Sequence, residues 1–120
     1  MIQDQPPPTR RDGPAVWPTV IEAMKAQIDE TLPGATVARL LLTDAAERHR
    51  VGCERYGTPL QAHNGRDALV DCYQEQLDAI AYSRQWYEEH RGDDAIWRWH
   101  HGTIDAAIRT RAMLFRRDGK

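Results

Sequence analysis

Four acidic residues recur along one short stretch of the chain, and their spacing is its most direct sign of chemistry. Asp67, Asp71, Glu75 and Asp78 follow one another at steps of four, four and three residues. In an α-helix this spacing places the side chains on one face, where like charges repel by roughly a few tenths of a kcal/mol per pair. Such a face is either a solvated surface or a site for a cation.

A second group of carboxylates lies earlier in the chain, where Asp44, Glu47 and Glu54 share one broad sector of a helix. Two helices joined by a short loop tend to pack antiparallel, so both acidic stripes can meet in one crevice. Carboxylates crowded together cannot all stay ionised without a cation, and oxygen ligands suit Mg²⁺ or Mn²⁺. Histidine and cysteine are absent from both stripes, which argues against zinc.

Cationic and polar residues flank the acidic stripes. Arg55, Asn64 and Arg66 belong to the connection between the two helices, and Arg84 follows Tyr82 just after the last acid. Cations beside a carboxylate-bound metal are what a polyphosphate substrate requires. The residues therefore suggest metal-assisted hydrolysis of a phosphoanhydride.

Apolar residues recur at helical spacing, and no segment alternates with a period of two, so the predicted fold class is all-α. We expect four helices, over about residues 18–32, 36–55 and 66–90 and from residue 93 or 94 onward, with Gly102 as a possible break in the last. Proline-rich residues 1–16 are predicted to form a flexible or extended arm, and residues 17–120 one helical domain.

The bulk composition narrows the classes of function. A chain of 120 residues can form one core, but one Phe and three Met indicate a thin core that a second subunit could complete. The net charge of -2 makes nucleic acid an unexpected partner, and no apolar run is long enough for a bilayer. Two cysteines without metal-type spacing favour reduced thiols and a cytoplasmic location.

The acid spacing resembles the MazG-like, all-α NTP pyrophosphohydrolases, whose pattern is EExxE on one helix and ExxD on a later one. Here "EQLD" supplies Glu75 and Asp78, and "DAAE" supplies Asp44 and Glu47. The first motif departs from the family pattern, because "TDAAE" has threonine and aspartate where two glutamates are expected. Glu54 is therefore a competing ligand on that helix.

The longer string "RYGTPLQ…NGRDALVDCYQEQLD" is more specifically similar to a phage-type branch of this superfamily that includes dATP/dGTP diphosphohydrolases. The resemblance covers about residues 40–84. It implies a four-helix MazG-like bundle that assembles as a dimer or tetramer. It also implies a cytoplasmic enzyme of nucleotide metabolism, working in the host cytoplasm if it is phage-encoded.

The resemblance further implies cleavage of a (deoxy)nucleoside triphosphate, dATP or dGTP by analogy with the branch, to the monophosphate and pyrophosphate. Two or more Mg²⁺ or Mn²⁺ ions would be held by acidic side chains of both helices: Asp44, Glu47, Asp71, Glu75 and Asp78. Among these, Asp71 and Glu75 are the catalytic candidates. Contacts to phosphate or sugar are expected from polar and cationic side chains near the acids: Asn64, Arg66, Tyr82 and Arg84.

An alternative reading makes the chain a non-catalytic helical assembly module, whose acidic face is solvated or binds a basic partner. Several residues have simpler roles in that reading. Asp67 can favour the helix dipole, and Asn64 with Gly65 can form only a turn. His100 and His101 are adjacent and so point to different helix faces, which favours packing or exposure over metal binding.

Overall fold

The computed structural model describes residues 4–28 and 34–120, and within these ranges its regular secondary structure is helical apart from one isolated bridge between Ala15 and Gln61. The helices are α1 (Val16–Gln27), α2 (Ala35–Tyr56), α3 (Ala68–Glu89) and α4 (Asp94–Asp118). The prediction of an all-α fold with four helices is confirmed for these residues. None of the described helices combines the length and apolar character that a membrane span requires.

Aspartate side chains fix the beginnings of α3 and α4. Asp67 accepts a hydrogen bond from the backbone N–H of Val70 at 3.2 Å, so α3 begins slightly later than the sequence predicts. Asp93 Oδ1 accepts from the N–H groups of Ala95 and Ile96 at 2.9 and 3.1 Å. Each cap satisfies donors that the first turn of a helix leaves without an intrahelical partner.

The two N-terminal helices differ from their predicted limits for local reasons. Helix α1 begins at Val16, and Pro18 lies within its first turn, where a missing N–H costs nothing. Its predicted continuation falls partly on residues 29–33, which lie outside the described residues. Helix α2 ends at Tyr56, and Gly57 follows with φ of 68°, a left-handed conformation that glycine adopts readily.

Among the described residues the chain forms two compact units, Asp4–Arg66 and Asp67–Lys120. In the N-terminal unit, α1 contacts α2, and an extended segment pairs with the loop that follows α2. In the C-terminal unit, α3 and α4 form an antiparallel hairpin joined by a short turn. Gly102 lies inside α4 without interrupting it, so the predicted possible break does not occur.

The extended segment 4–15, which the sequence predicts as a flexible or extended arm, has defined partners. Thr9 N–H donates to the Asn64 carbonyl at 2.8 Å, and Arg11 N–H donates to Gln61 Oε1 at 2.8 Å. Gln61 Nε2 donates to the carbonyls of Arg11 and Gly13, each at 2.6 Å. The arm is extended because its backbone groups pair with the loop; residues 1–3 lie outside the described residues.

Buried apolar side chains are few in the described residues, and three of the four are alanines: Ala38, Ala45 and Ala107, with Leu114. Larger apolar side chains stay exposed, including Ile108 at 62% and Phe115 at 59%. In the C-terminal unit, three exposed apolar side chains and three half-buried ones line a groove of about 580 Å³ along the hairpin: Leu77, Ile108 and Phe115, with Tyr73, Ile80 and Ile104. We refer to this surface as the apolar groove.

Candidate acidic site

Helix α3 carries the main acidic stripe without interruption. Because α3 is continuous from Ala68 to Glu89, Asp71, Glu75, Asp78 and Tyr82 follow one another along one face at about three residues and a half per step. Glu75 and Asp78 are exposed, Asp71 is half-buried, and Tyr82 is 68% exposed. The helix therefore presents adjacent carboxylates to solvent, as the spacing predicts.

The acidic stripe lies away from the packed surface of its own unit. Tyr73, Leu77 and Ile80, which line the apolar groove, lie on roughly the opposite side of α3 from Glu75. Packing in the C-terminal hairpin therefore leaves Glu75 and Asp78 exposed.

Counter-charges are missing from the centre of this stripe. Within the part of the chain that the structure describes, neither Glu75 nor Asp78 forms an ion pair or a side-chain hydrogen bond. Like charges one turn apart on an exposed helix face weaken the helix slightly, and a bound cation would remove that repulsion. A cation could thus bind Glu75 and Asp78 without displacing a partner among the described residues.

The acids of α2 are arranged differently. Arg50 donates two hydrogen bonds to Glu47, at 2.5 and 2.9 Å, and a third to Glu54 at 2.6 Å. The hydrogen bond from Arg50 holds the pKa of Glu47 below its usual range. Asp44 is exposed and has no such partner among the described residues. A metal ion would have to displace Arg50 to use either glutamate, whereas Asp44 is available as it stands.

Asp67, the first acid of the predicted stripe, has a structural role. Besides capping α3, it accepts two hydrogen bonds from Arg117, at 3.0 and 2.7 Å, near the end of α4. The Arg117 guanidinium holds the pKa of Asp67 below its ordinary value. The carboxylate thus joins the first turn of α3 to the last turn of α4, and the simpler reading of Asp67 as a helix-start acid is supported.

Asn64 and Arg66, predicted to bind substrate, take part in holding the arm. Asn64 is only 7% exposed, and its side-chain oxygen accepts from Arg66 N–H at 3.1 Å. Arg66 Nη1 donates to the Pro6 carbonyl at 2.6 Å. These contacts form a turn in the N-terminal unit and fix the arm on it; a role of either residue in substrate binding stays a prediction.

Arg84 and Tyr82 lie on different sides of α3. Arg84 is nine residues beyond Glu75, or about 180° around the helix. Its Nε donates to Glu88 at 2.7 Å, and its guanidinium lies 5.5 Å from the ring centre of Tyr87 and 5.7 Å from that of Trp97. The structure brings Tyr82 to the acidic stripe but directs Arg84 towards aromatic rings of its own hairpin.

The predicted ligands belong to two units. Asp71, Glu75 and Asp78 lie in the C-terminal unit, and Asp44 and Glu47 lie in the N-terminal unit. Carboxylate oxygens suit Mg²⁺ or Mn²⁺ in kind, but residues 4–28 and 34–120 contain no group of three or more His, Cys, Asp or Glu arranged to hold a metal ion. Convergence of the two stripes on metal ions stays a prediction.

A buried polar cluster, which the sequence does not reveal, lies inside the C-terminal hairpin. Ser83, 1% exposed, has its Oγ 2.8 Å from His100 Nδ1 and 3.1 Å from Thr103 Oγ1. The Thr103 hydroxyl donates to the His100 carbonyl, and the Ser83 hydroxyl is 3.1 Å from the Ile80 carbonyl. These contacts join the three side chains into one hydrogen-bonded cluster, in which the tautomer of His100 sets whether Nδ1 donates or accepts. His100 is buried and His101 exposed, as their adjacency predicts.

The His100 cluster gives stability a defined dependence on pH. Burial lowers the pKa of His100, with His101 and Arg84 adding to the effect, so the unfolded chain binds this proton more readily. The free energy of unfolding should therefore be fully retained above about pH 6.5 and fall as pH drops towards the lowered pKa. Denaturant titrations at several pH values would measure this.

A matched pair of variants isolates the contribution of His100. His100→Asn keeps a polar amide group near the position of Nδ1 but cannot titrate, so it should flatten the slope between pH 7 and pH 5. His63→Asn removes an exposed histidine of the N-terminal unit and should leave the slope as it is. An unchanged slope in His100→Asn would contradict the assignment.

The described residues define a class of protein, an all-α chain of two helical units with an exposed acidic helix face. No protein-family model matches the chain, and no curated protein or solved structure matches it either. The resemblance of residues 40–84 to MazG-like pyrophosphohydrolases therefore rests on the sequence motifs and stays a prediction.

Proposed function

We propose that the chain is a metal-dependent nucleotide pyrophosphohydrolase of the MazG-like type. It would convert a (deoxy)nucleoside triphosphate, in the first instance dATP or dGTP, into the monophosphate and pyrophosphate. The observation that carries the proposal is the exposed pair Glu75 and Asp78 at the centre of an acidic stripe, without a counter-charge among the described residues. Carboxylate oxygens are the ligands that hard divalent cations prefer, so these two side chains would supply ligands of the right kind.

Each acidic residue has a role in the proposal. Glu75 and Asp78 would hold Mg²⁺ or Mn²⁺ together with Asp71 and, from α2, Asp44 and Glu47. When bound, two or more such ions supply positive charge that stabilises developing charge on phosphate oxygens. Helix α3 fixes the relative positions of three ligands, because they belong to one continuous element.

The reaction is hydrolysis of the bond between the α and β phosphates. The oxygen of water joins one phosphorus, and the bridging oxygen leaves with the other phosphate. A carboxylate accepts one proton of the water, and Asp71 or Glu75 is the proposed base. Tyr82, exposed on the same face of α3, would contact phosphate or sugar.

Assembly from more than one subunit, as a dimer or tetramer, is part of the same proposal. The apolar groove supports it, because Ile108 and Phe115 would otherwise leave large apolar area in water. The same observation supports a second candidate, a non-catalytic assembly module whose acidic face is solvated or binds a basic partner. A cytoplasmic location also belongs to the proposal.

A screen for pyrophosphate release tests the enzyme directly. Purified protein with Mg²⁺ or Mn²⁺ should release pyrophosphate from dATP or dGTP, and chelation by EDTA should stop the reaction. The screen should cover the common ribo- and deoxyribonucleoside triphosphates, because base choice depends on pocket shape. Intact nucleotides throughout, at high protein concentration with either metal, would refute the enzyme and favour the assembly module.

A further inference from the structure

The N-terminal unit contains a cavity that the proposed hydrolase site does not use. It has a volume of about 610 Å³ and lies where the arm, the start of α1 and the loop after α2 meet. Ala15, Val16, Val20 and Ala62 contribute apolar surface to its lining. Cavities that bind small molecules commonly enclose about 300–1,000 Å³ and are largely apolar with a few polar groups. Its size and lining are those of a small-molecule site.

Arg11 supplies the charged group of this cavity and is held at three points. Its backbone N–H donates to Gln61 Oε1, and its carbonyl accepts from Gln61 Nε2. Its side-chain Nε donates to the His63 carbonyl at 2.5 Å. The two terminal amino groups form no hydrogen bond or ion pair with the described residues. A guanidinium fixed in this way loses little freedom when it binds an anion.

Arg11 gives the lining of the cavity a positive charge. Among the described residues that line it, Arg11 and His63 carry the basic side chains, and no lining residue is acidic. The two terminal amino groups of a guanidinium form a planar fork that matches a carboxylate or a phosphate. The apolar lining beside them offers a place for an uncharged hydrocarbon or aromatic group, which would leave water on binding.

We propose that this cavity binds a small carboxylate or phosphate that carries an apolar group. The oxyanion pairs with the terminal amino groups of Arg11, and the apolar group lies against Val16, Val20 and Ala62. The site stands independently of the proposed hydrolase, because it uses none of the carboxylates of α2 or α3.

Amide NMR titrations of the full chain test this site with four probes. Phenyl phosphate and benzoate combine an anion with a ring, inorganic phosphate lacks the ring, and benzyl alcohol lacks the charge. We expect a saturable shift of the Ala15, Val16 and Ala62 amides with at least one ring-bearing anion. Inorganic phosphate and benzyl alcohol should bind at least about tenfold more weakly, since each lacks one of the two interactions.

Comparing the binding of phenyl phosphate with that of benzoate shows whether the ligand is a phosphate or a carboxylate. Binding of phenyl phosphate alone would assign a phosphate ligand, and binding of benzoate alone a carboxylate. The proposal is wrong if neither ring-bearing anion shifts these amides at millimolar concentration. It is also wrong if inorganic phosphate or benzyl alcohol binds as tightly as the better ring-bearing anion.

Three variants test the contacts. Arg11→Gln should weaken binding of the ring-bearing anion at least about tenfold, while Arg10→Gln, a neighbour that does not line the cavity, should not. Ala62→Leu keeps Arg11 and fills the cavity, so it should also weaken binding. Unperturbed Thr9 amide signals would show that the arm stays in place. Full binding by both Arg11→Gln and Ala62→Leu would overturn the proposal.

Discussion

Replacing Glu75 with glutamine should lower metal-dependent pyrophosphate release by roughly two orders of magnitude or more, without loss of helix content. The substitution keeps the size of the side chain and removes its charge at the centre of the acidic stripe. Because Glu75 is exposed and forms no ion pair within residues 4–28 and 34–120, no packing or pairing is lost. The loss should therefore be one of metal binding and catalysis, measured by initial rates at saturating Mn²⁺.

Helix α3 provides a matched control for this prediction. Glu89 is exposed and lies on a similar side of the helix, but about 21 Å further along its axis at 1.5 Å per residue. Glu89→Gln should retain full activity, whereas Asp78→Asn should lose as much as Glu75→Gln. If Glu75→Gln and Glu89→Gln were equally active, Glu75 would not be a metal ligand, and the proposed site would lose its central residue.

The melting temperature distinguishes the enzyme from the assembly module. A protein that binds Mn²⁺ in its folded form should melt at a higher temperature when the ion is added, through ligand linkage. If the chain is the non-catalytic assembly module, Mn²⁺ should leave the melting temperature unchanged. Neutralising Asp71, Glu75 and Asp78 together should then raise the melting temperature, because repulsion between like charges is removed. The melting temperature therefore distinguishes the enzyme from the assembly module without knowledge of the substrate.

Local signals explain why the sequence predicts the helices well. The period of apolar residues, the turn residues around Gly57 and the caps at Asp67 and Asp93 all act within a few positions of one another. Helix geometry alone also separates Arg84 from the acidic stripe, because it falls on the same side of α3 as Tyr73 and Leu77. A substrate contact by Arg84 is implied only by the family resemblance and stays a prediction.

The sequence does not predict which residues far apart in the chain form contacts. Asp67 and Arg117 are fifty residues apart, as are Arg11 and Gln61. A proline-rich, charged segment has the composition of a flexible arm, and composition does not show that Gln61 will bind its backbone. The acidic spacing on α3 is likewise local, whereas the approach of the α2 acids depends on tertiary structure that spacing does not determine.

Gln61→Ala should release the arm from the N-terminal unit. The Gln61 side chain is 6% exposed and makes three hydrogen bonds to the arm, to Arg11 N–H, the Arg11 carbonyl and the Gly13 carbonyl. Removing it leaves backbone groups to be satisfied by water, at a cost of about 2 kcal/mol or more for local opening. Hydrogen exchange at the Thr9 and Arg11 amides should then accelerate about thirtyfold.

Limited trypsin digestion provides a second measure of the same release, because the arm contains Arg10 and Arg11. Cleavage there should be slow in the parent protein and fast in Gln61→Ala. Gln85→Ala, which removes an exposed glutamine from α3, serves as the control and should leave both measurements unchanged. If the Thr9 and Arg11 amides of the parent protein exchange as fast as an unfolded chain, Gln61 does not hold the arm, and the composition-based expectation of a flexible segment is the better description.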